Sequence, residues 1–427
     1  MKIVQLADIY APVIGGAERH VLNLAQELAA RGHDSVVVTI GAPNLPLFET
    51  DDKGVRVYRL RSGLTSRIDS LFTDPARRYH PPVADPGLTH GLARLLDGLQ
   101  PDIVNGHNWM TYSYLAGRRR GDTAVVHTLH DYGAVCHKRT YLRADGSTCD
   151  GPALAKCARC GVEQYGVVKS AGLATGLRLS QHRLHPHVDR FIAVSRYVAD
   201  VSRPYLGGRP VEVVPTFVPD GLDVLAAATP RAAFLPDRDF ILFVGSLTRV
   251  KGLDTLIDAH RQLGPSAPAL VAIGPPTAGL PTGLGPNVVI APTVPHAQVM
   301  SAWHHCLFGV VPSRLPEPLG QAAVEAMVCG KAVVASRTGG LAELIGDRES
   351  GLLVDPGHTA QLAAALRELI DDPALRDRLG AEGARRAPAY TQSHVVDRFE
   401  EIYRELRADR VSYRPVPTAP DPRMVRR

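Results

Sequence analysis

Two glutamates, Glu317 and Glu325, flank a proline- and glycine-containing turn in the sequence 311–345. An apolar run at 307–311 reads as a buried strand, and 319–329 reads as a helix that Gly330 ends. Pro318 suits a first helical position, where the missing N–H costs little. The amides of Leu319, Gly320 and Gln321 then point out of the helix N-terminus, and the helix dipole makes them a seat for an anion. Eight steps at ~100° separate the two carboxylates by roughly 80° around the axis and about 12 Å along it. The segment therefore offers an acceptor for sugar hydroxyls at Glu317, a phosphate seat, and an acceptor for a ribose diol at Glu325. A nucleotide diphosphate sugar has those three parts in that order. Lys251 lies before another helix, downstream of a turn at Gly245, and would add a full positive charge to the anion seat. Taken singly, each of these residues reads as an ordinary surface charge; their grouping is what points to chemistry.

The elements that must position them follow one plan. A second apolar run at 332–336 is a strand, and Gly339-Gly340 opens the next helix. Strand, turn and helix in alternation build an open parallel sheet. The same plan begins at residues 3–7, where a strand leads through Gly15-Gly16 into a helix at 17–30. That helix keeps Val21, Leu24, Ala25 and Leu28 in helical period. Gly15 and Gly16 stand at a strand's C-terminal end, where open α/β sheets bind ligands. Further strands are expected at 35–40, 102–106, 123–129, 190–194 and 211–214, and then at 240–245, 269–273 and 287–290. Residues 61–90, rich in Pro, Arg and Asp, read as a long irregular loop of the kind that shapes a pocket. Domains are expected at 1–216 and 217–391. A terminal helix at 392–410 should cross back to the first domain, and 411–427 read as a disordered tail.

The string Pro312, Ser313, Glu317, Pro318, Gly320, Glu325, Ala326, Met327, Gly330, Val333, Val334, Ala335, Ser336, Gly339, Gly340 and Glu343 resembles the E-x7-E segment of retaining glycosyltransferases of family 4. The resemblance runs from about residue 3 to residue 405. It implies the GT-B fold: two doubly wound, Rossmann-like parallel-sheet domains facing a central cleft. It implies that Gly15, Gly16, Gly245, Lys251, Ser313, Glu317, Leu319, Gly320, Gln321 and Glu325 bind the donor. Lys251 would neutralise the leaving diphosphate, and His130, from His130-Asp131-Tyr132, would approach the donor sugar. The resemblance sets Glu18 and His107 on the acceptor side, which the N-terminal domain forms. Asp131 either orients the His130 ring or takes an acceptor hydroxyl. It also lays 288–292 where the family recognises the nucleobase. This chain departs from the pattern at Ser246, where the family usually has Arg; Arg249 is the nearby guanidinium that would replace it. Asp237-Arg238-Asp239 spells the metal-binding signature of the other glycosyltransferase fold, but it precedes a strand instead of following one, and reads as a decoy.

Cys136, Cys149, Cys157 and Cys160 fall within one Gly-, Arg- and Asp-rich stretch, and the last two form C-x2-C, which can grip a metal from a single turn. A structural zinc is one reading, with His137 as a substitute ligand; free or disulfide-forming thiols are the other. Residues 165–188 are basic and amphipathic: a peripheral membrane contact is one reading, a solvated helix face the other.

The net charge of +5 over 427 residues is mild, and aromatics at 6% are too sparse for base-stacking platforms, so nucleic acid is not an expected partner. No apolar run reaches ~18 residues, and Asp8 interrupts the short apolar stretch at the start, so neither a spanning helix nor a signal peptide is expected. A cytoplasmic enzyme follows, touching at most the inner face of the membrane. The expected reaction is metal-independent transfer of a hexosyl-type sugar, with retention, from a UDP- or GDP-sugar to a hydroxyl acceptor. A sugar epimerase, an inverting transferase, and an inactive subunit that only binds nucleotide sugar are the alternatives.

Overall fold

The fold was obtained as a computed structural model, which describes every residue except 14, 43, 62–78, 119, 120, 122, 276–283, 286 and 413–427. Two sheets organise the chain. The first contains β1 (Lys2–Ala7), β2 (Asp34–Ile40), β3 (Phe48–Thr50), β4 (Arg56–Leu60), β5 (Ile103–Gly106), β6 (Ala124–Leu129), β7 (Arg190–Ala193) and β8 (Val211–Val213). Their order is β3-β4-β2-β1-β5-β6-β7-β8, parallel except for β3 against β4. The second contains β9 (Phe240–Val244), β10 (Ala269–Ile273), β11 (Val288–Ala291), β12 (Gly309–Val311), β13 (Val333–Ser336) and β14 (Gly351–Val354), in the order β11-β10-β9-β12-β13-β14.

In each sheet the chain builds outward on one side and then crosses to the other. The reversal falls between β1 and β5 in the first sheet and between β9 and β12 in the second. Crevices for ligands open at such points, beyond the carboxyl ends of the strands. Gly15-Gly16 follows β1, Gly245 follows β9, and the Pro312–Gly320 turn follows β12, so all three fall at the two crevices.

The strands read as near-continuous apolar runs because helices cover both faces. One face of the first sheet packs Ile3, Ile103, Val126 and Ile192 against Val395, Phe399, Ile402 and Tyr403 of the helix Gln392–Ser412. Burying Phe399 and Ile402 completely contributes roughly 1.5–3 kcal/mol each. The two halves join twice, side by side. Phe217 packs with the first sheet and Val218 with the second. Val218 hydrogen-bonds the Tyr390 carbonyl and accepts the Gln392 amide (3.0 and 2.9 Å).

Three expectations change. β3 and β4 went unread because Arg56 and Arg59 break the apolar pattern. Arg59 is nevertheless buried, satisfied by the carbonyls of Pro46 and Ala11 and by Glu49. The loop expected at 61–90 ends earlier, because Pro86–Leu99 is a helix whose first amides are capped by Asp85; residues 62–78 of it lie outside the described residues, as does the tail from 413 onward. The helix expected at 319–329 is Gln321–Val328, with Gly320 as its left-handed cap (φ 106°). Pro318 and Leu319 therefore belong to the turn. A Cβ on Gly320 would meet Leu341 Cδ2 at 2.5 Å, so that turn closes only on glycine.

Candidate functional site

A cleft of about 450 Å³ lies between the halves, within the size range of small-molecule sites. Its C-terminal wall is built by the turn after β12. The amides of Leu319, Gly320, Gln321 and Ala322 find no hydrogen-bond acceptor among the described residues, so the cleft lining keeps four unpaired donors at the start of the helix. Gly339 and Gly340 hold this turn from behind. Gly340 donates its amide to the Glu317 carbonyl (2.7 Å), and a Cβ on Gly339 would meet that carbonyl oxygen at 2.3 Å.

Glu317 is 7% exposed. Lys251 Nζ stands 2.6 Å from its Oε1, and Ser313 Oγ donates to the same oxygen at 2.5 Å. Both contacts fall on Oε1, which leaves Oε2 as the acceptor for a hydroxyl. Glu325 is held more tightly. His296 Nε2 is 2.8 Å from Oε1, Trp303 Nε1 donates to Oε2 (3.2 Å), and Arg19 Nη1 reaches Oε1 from the opposite wall at 3.6 Å.

The N-terminal wall presents Gly15, Gly16, Arg19 and His130. A Cβ on Gly16 would stand 3.1 Å from Gln321 Oε1, so the two crevices nearly touch there. His130 closes a buried relay. His107 Nε2 is 2.7 Å from Gln5 Oε1, and His107 Nδ1 is 2.8 Å from His130 Nε2. An amide oxygen only accepts, so His107 Nε2 carries the proton, His107 Nδ1 is bare, and His130 Nε2 donates to it. His130 Nδ1 is then an unprotonated, buried acceptor with no partner among the described residues. Burial holds the pKa of His130 down to about 4, and those of His107 and His20 well below the ordinary histidine value. Behind this relay, Asn105 donates to the Tyr403 hydroxyl (2.8 Å) on the C-terminal helix.

Several expected site residues stand elsewhere. Arg249 is not in the cleft wall: its side chain is 77% exposed and pairs with Asp254 at 3.2 Å, because the 3-10 turn Arg249–Lys251 rotates successive side chains by about 120° and so points Arg249 and Lys251 in different directions. Ser246 lines the cleft, and the guanidinium that does reach it is Arg19. His107 is buried, 2.8 Å from His130. Asp131 does not touch His130: it accepts the Gly133 amide (2.7 Å) and pairs with Arg139 (2.6 Å). Glu18 sits in the first turn of the helix Gly16–Ala30, outside the described lining of the cleft. Asp237 and Asp239 precede β9, away from the cleft lining.

Arg19, His296, Trp303 and Gln5 were not singled out from the sequence. Arg19 carried the one available signal, since it directly follows the Gly15–Glu18 loop. Tyr132 donates to the Pro316 carbonyl (2.9 Å), and Glu343 accepts the amides of Arg196 and Tyr197 (2.9 and 2.5 Å), so both link the halves beside the cleft.

The four clustered cysteines line one small cavity together with His137. As their side chains stand, no three His, Cys, Asp or Glu groups among the described residues meet at one ion-holding point. The helix Val167–Arg183 buries Ser170, Ala174 and Leu177 and exposes Val167 and Val168 beside Lys169. No helix among the described residues is long and apolar enough to cross a membrane.

Two doubly wound halves meeting across such a cleft define a GT-B protein. The likeness to solved structures agrees. Sucrose-phosphate synthase from Thermosynechococcus elongatus superposes with a TM-score of 0.72 at 21% identity, over 96% of this chain and 100% of that one. HepE from Anabaena in complex with UDP-glucose gives 0.68 at 17% identity, over 95% and 100%. The family model described as Glycosyltransferase Family 4 matches residues 14–221, and Glycosyl transferases group 1 matches 229–386. D-inositol 3-phosphate glycosyltransferase of Kineococcus radiotolerans is 30% identical over 441 positions, covering 94% of this chain and 92% of the relative. The enzyme of the same name from Jonesia denitrificans is 28% identical over 418 positions, covering 92% of each. The chain belongs to glycosyltransferase family 4, group 1, and is a glycosyltransferase.

Proposed function

We propose that this enzyme transfers a hexosyl unit from a nucleotide diphosphate sugar, UDP-linked in the first instance, to a hydroxyl acceptor, with retention of configuration. The observation that carries the reading is the convergence of Lys251, Ser313 and Glu317 on four unpaired amides at one helix N-terminus. The diphosphate sits on those amides, and Lys251 adds the charge that stabilises it as it leaves. Glu317 Oε2 takes sugar hydroxyls, and Glu325 takes the ribose. Gly245 and the 288–292 stretch border the nucleotide end.

Two built-in cationic elements, the lysine and the helix dipole, supply the charge stabilisation that a divalent ion would otherwise give. The reaction is therefore expected to run in the presence of a chelator. His130 stays neutral and presents its bare Nδ1 as an acceptor for a sugar hydroxyl. His107 and Gln5 act on it as positioning residues. Among the described residues no side chain is placed as a nucleophile, so the acceptor attacks from the face that the diphosphate leaves, and a donor phosphate oxygen takes its proton. The deciding experiment is turnover of a nucleotide-sugar panel, with the product anomer assigned by NMR. An inverted anomer, or donor epimerisation without an acceptor, would overturn the reading.

The relatives' printed names make a phosphorylated cyclitol the first acceptor to try. Val167, Val168 and Lys169 form the patch through which the protein would contact an anionic membrane. Co-sedimentation with anionic vesicles, lost in Val168→Asp, tests that contact.

A further inference from the structure

We propose that Cys136, Cys149, Cys157 and Cys160 hold one zinc ion, which fixes the loop between β6 and the helix Val167–Arg183. The four thiols come from three separate pieces of backbone. Cys136 lies in the turn after Tyr132, whose carbonyl accepts its amide (2.7 Å). Cys149 follows a hairpin closed by the bridge Leu142–Thr148, and its amide donates to the Tyr141 carbonyl (2.9 Å). Cys157 and Cys160 share one face of the helix Leu154–Cys160, three residues apart. All four nevertheless line a single cavity of about 20 Å³. That is room for one ion or one water, and far too little for an organic ligand. None of the four is in a disulfide.

The thiols now rest on weak acceptors: Cys149 on the Gly151 carbonyl at 3.4 Å and Cys160 on the Leu142 carbonyl at 3.6 Å. Those contacts explain why no three sulfurs yet share a centre. Rotation about Cα–Cβ between staggered wells is the motion that closes them on an ion.

The charge of the wall supports four thiolates. A Cys₄ zinc centre carries a net −2. Lys138 Nζ lies 3.6 Å from Cys160 Sγ, and Arg143 and Lys156 line the same cavity. Asp150 pairs with both of the latter, but Arg143 Nε remains buried with no acceptor among the described residues. A buried donor without a partner calls for one, and a thiolate sulfur supplies it. His137 also borders the cavity, yet its Nε2 lies 3.4 Å from Ser170 Oγ and is pressed against Gly161. The ligand set is therefore four cysteines.

The site is closed, so the zinc is structural. Its reach extends to the cleft. Tyr141, next to Cys149 in the hairpin, stacks on Tyr132 at 5.0 Å, and Tyr132 bonds the carbonyl just before Glu317.

The test is elemental analysis of the whole chain, purified without chelators, together with native alkylation read by mass spectrometry. About one zinc per chain is expected, with the four cysteines protected until the metal is stripped. Cys157→Ser/Cys160→Ser should lose the zinc, whereas Cys329→Ser should keep it. Should the double variant fail to fold, the metal content and alkylation pattern of the unaltered chain still decide. Zinc well below one per chain with freely reacting thiols, a disulfide between any two of the four, or iron with visible absorbance in place of zinc would each overturn the proposal.

Discussion

The two walls of the cleft are made in opposite ways. The C-terminal wall takes Ser313, Glu317, the amides of 319–322 and Glu325 from one short stretch, braced by Gly339-Gly340 a few residues on. Its geometry is a property of a turn and a helix end. The N-terminal wall collects Gln5, Arg19, His107 and His130 from three strands' ends and a helix, with Tyr403 of the last helix near the base of the relay. Its geometry is a property of the whole packed half. A local site fails when one of its own residues changes. A gathered site fails when the packing behind it loosens.

The largest effect should come from the local wall. Glu317→Gln and Lys251→Ala should each cut kcat by about 10²–10³, equivalent to roughly 3–4 kcal/mol of transition-state stabilisation, while the fold survives. Steady-state kinetics with the best nucleotide sugar would check this, and a residual rate near wild type would remove the C-terminal wall from the chemistry.

Acid should find the gathered wall first. His130 has a folded pKa of about 4 against an ordinary value of 6.5, so the unfolded chain binds more protons as pH falls from about 6.5 towards 4. That costs up to about 3 kcal/mol for this residue, and His107 and His20 add in the same direction. Asp8 acts oppositely, since burial raises its pKa to about 7, and its contribution is lost as pH rises towards 7. Burial also holds His80, His127, His137 and His185 down, so the histidines outweigh the one carboxyl and Tm should drop between pH 7 and pH 5. A flat profile by differential scanning fluorimetry would contradict the neutral relay.

Arg19 joins the walls and should show an intermediate effect. Arg19→Ala should raise the donor KM about tenfold with little change in kcat, because it helps hold Glu325, the proposed ribose acceptor. Isothermal titration with UDP would register the same loss; unchanged affinity would detach Arg19 from the site. The smallest effect belongs to Arg249→Ala. An exposed side chain paired, among the described residues, only with Asp254 should leave kcat/KM within about twofold. A loss of a hundredfold would mean that the guanidinium swings into the cleft.

This contrast also governs what could be read from the residues. The alternation of apolar strands and helices was legible, and the helix expected at 17–30 forms as Gly16–Ala30, because a local hydrophobic period decides it. The 312–325 turn was legible for the same reason, apart from a helix start displaced to Gln321 by the left-handed Gly320. Arg249 was misread because sequence proximity to Ser246 says nothing of which way a 3-10 turn points a side chain. The orientations of His107 and Asp131 were not legible, because partners as distant as Gln5 and as unexpected as Arg139 decide them. Such pairings depend on strand order, and a single sequence does not carry strand order on its surface.

The helix Gln392–Ser412 bears on how the molecule is made. The first sheet leaves the ribosome with Ile103, Val126 and Ile192 uncovered, and the side chains that cover them, from Val395 onward, are translated about two hundred residues after Ile192. At about 5–20 residues per second, that is a delay of roughly 10–40 s. During it, the nascent N-terminal half carries a greasy, open flank, a natural client for chaperones that bind emerging chains.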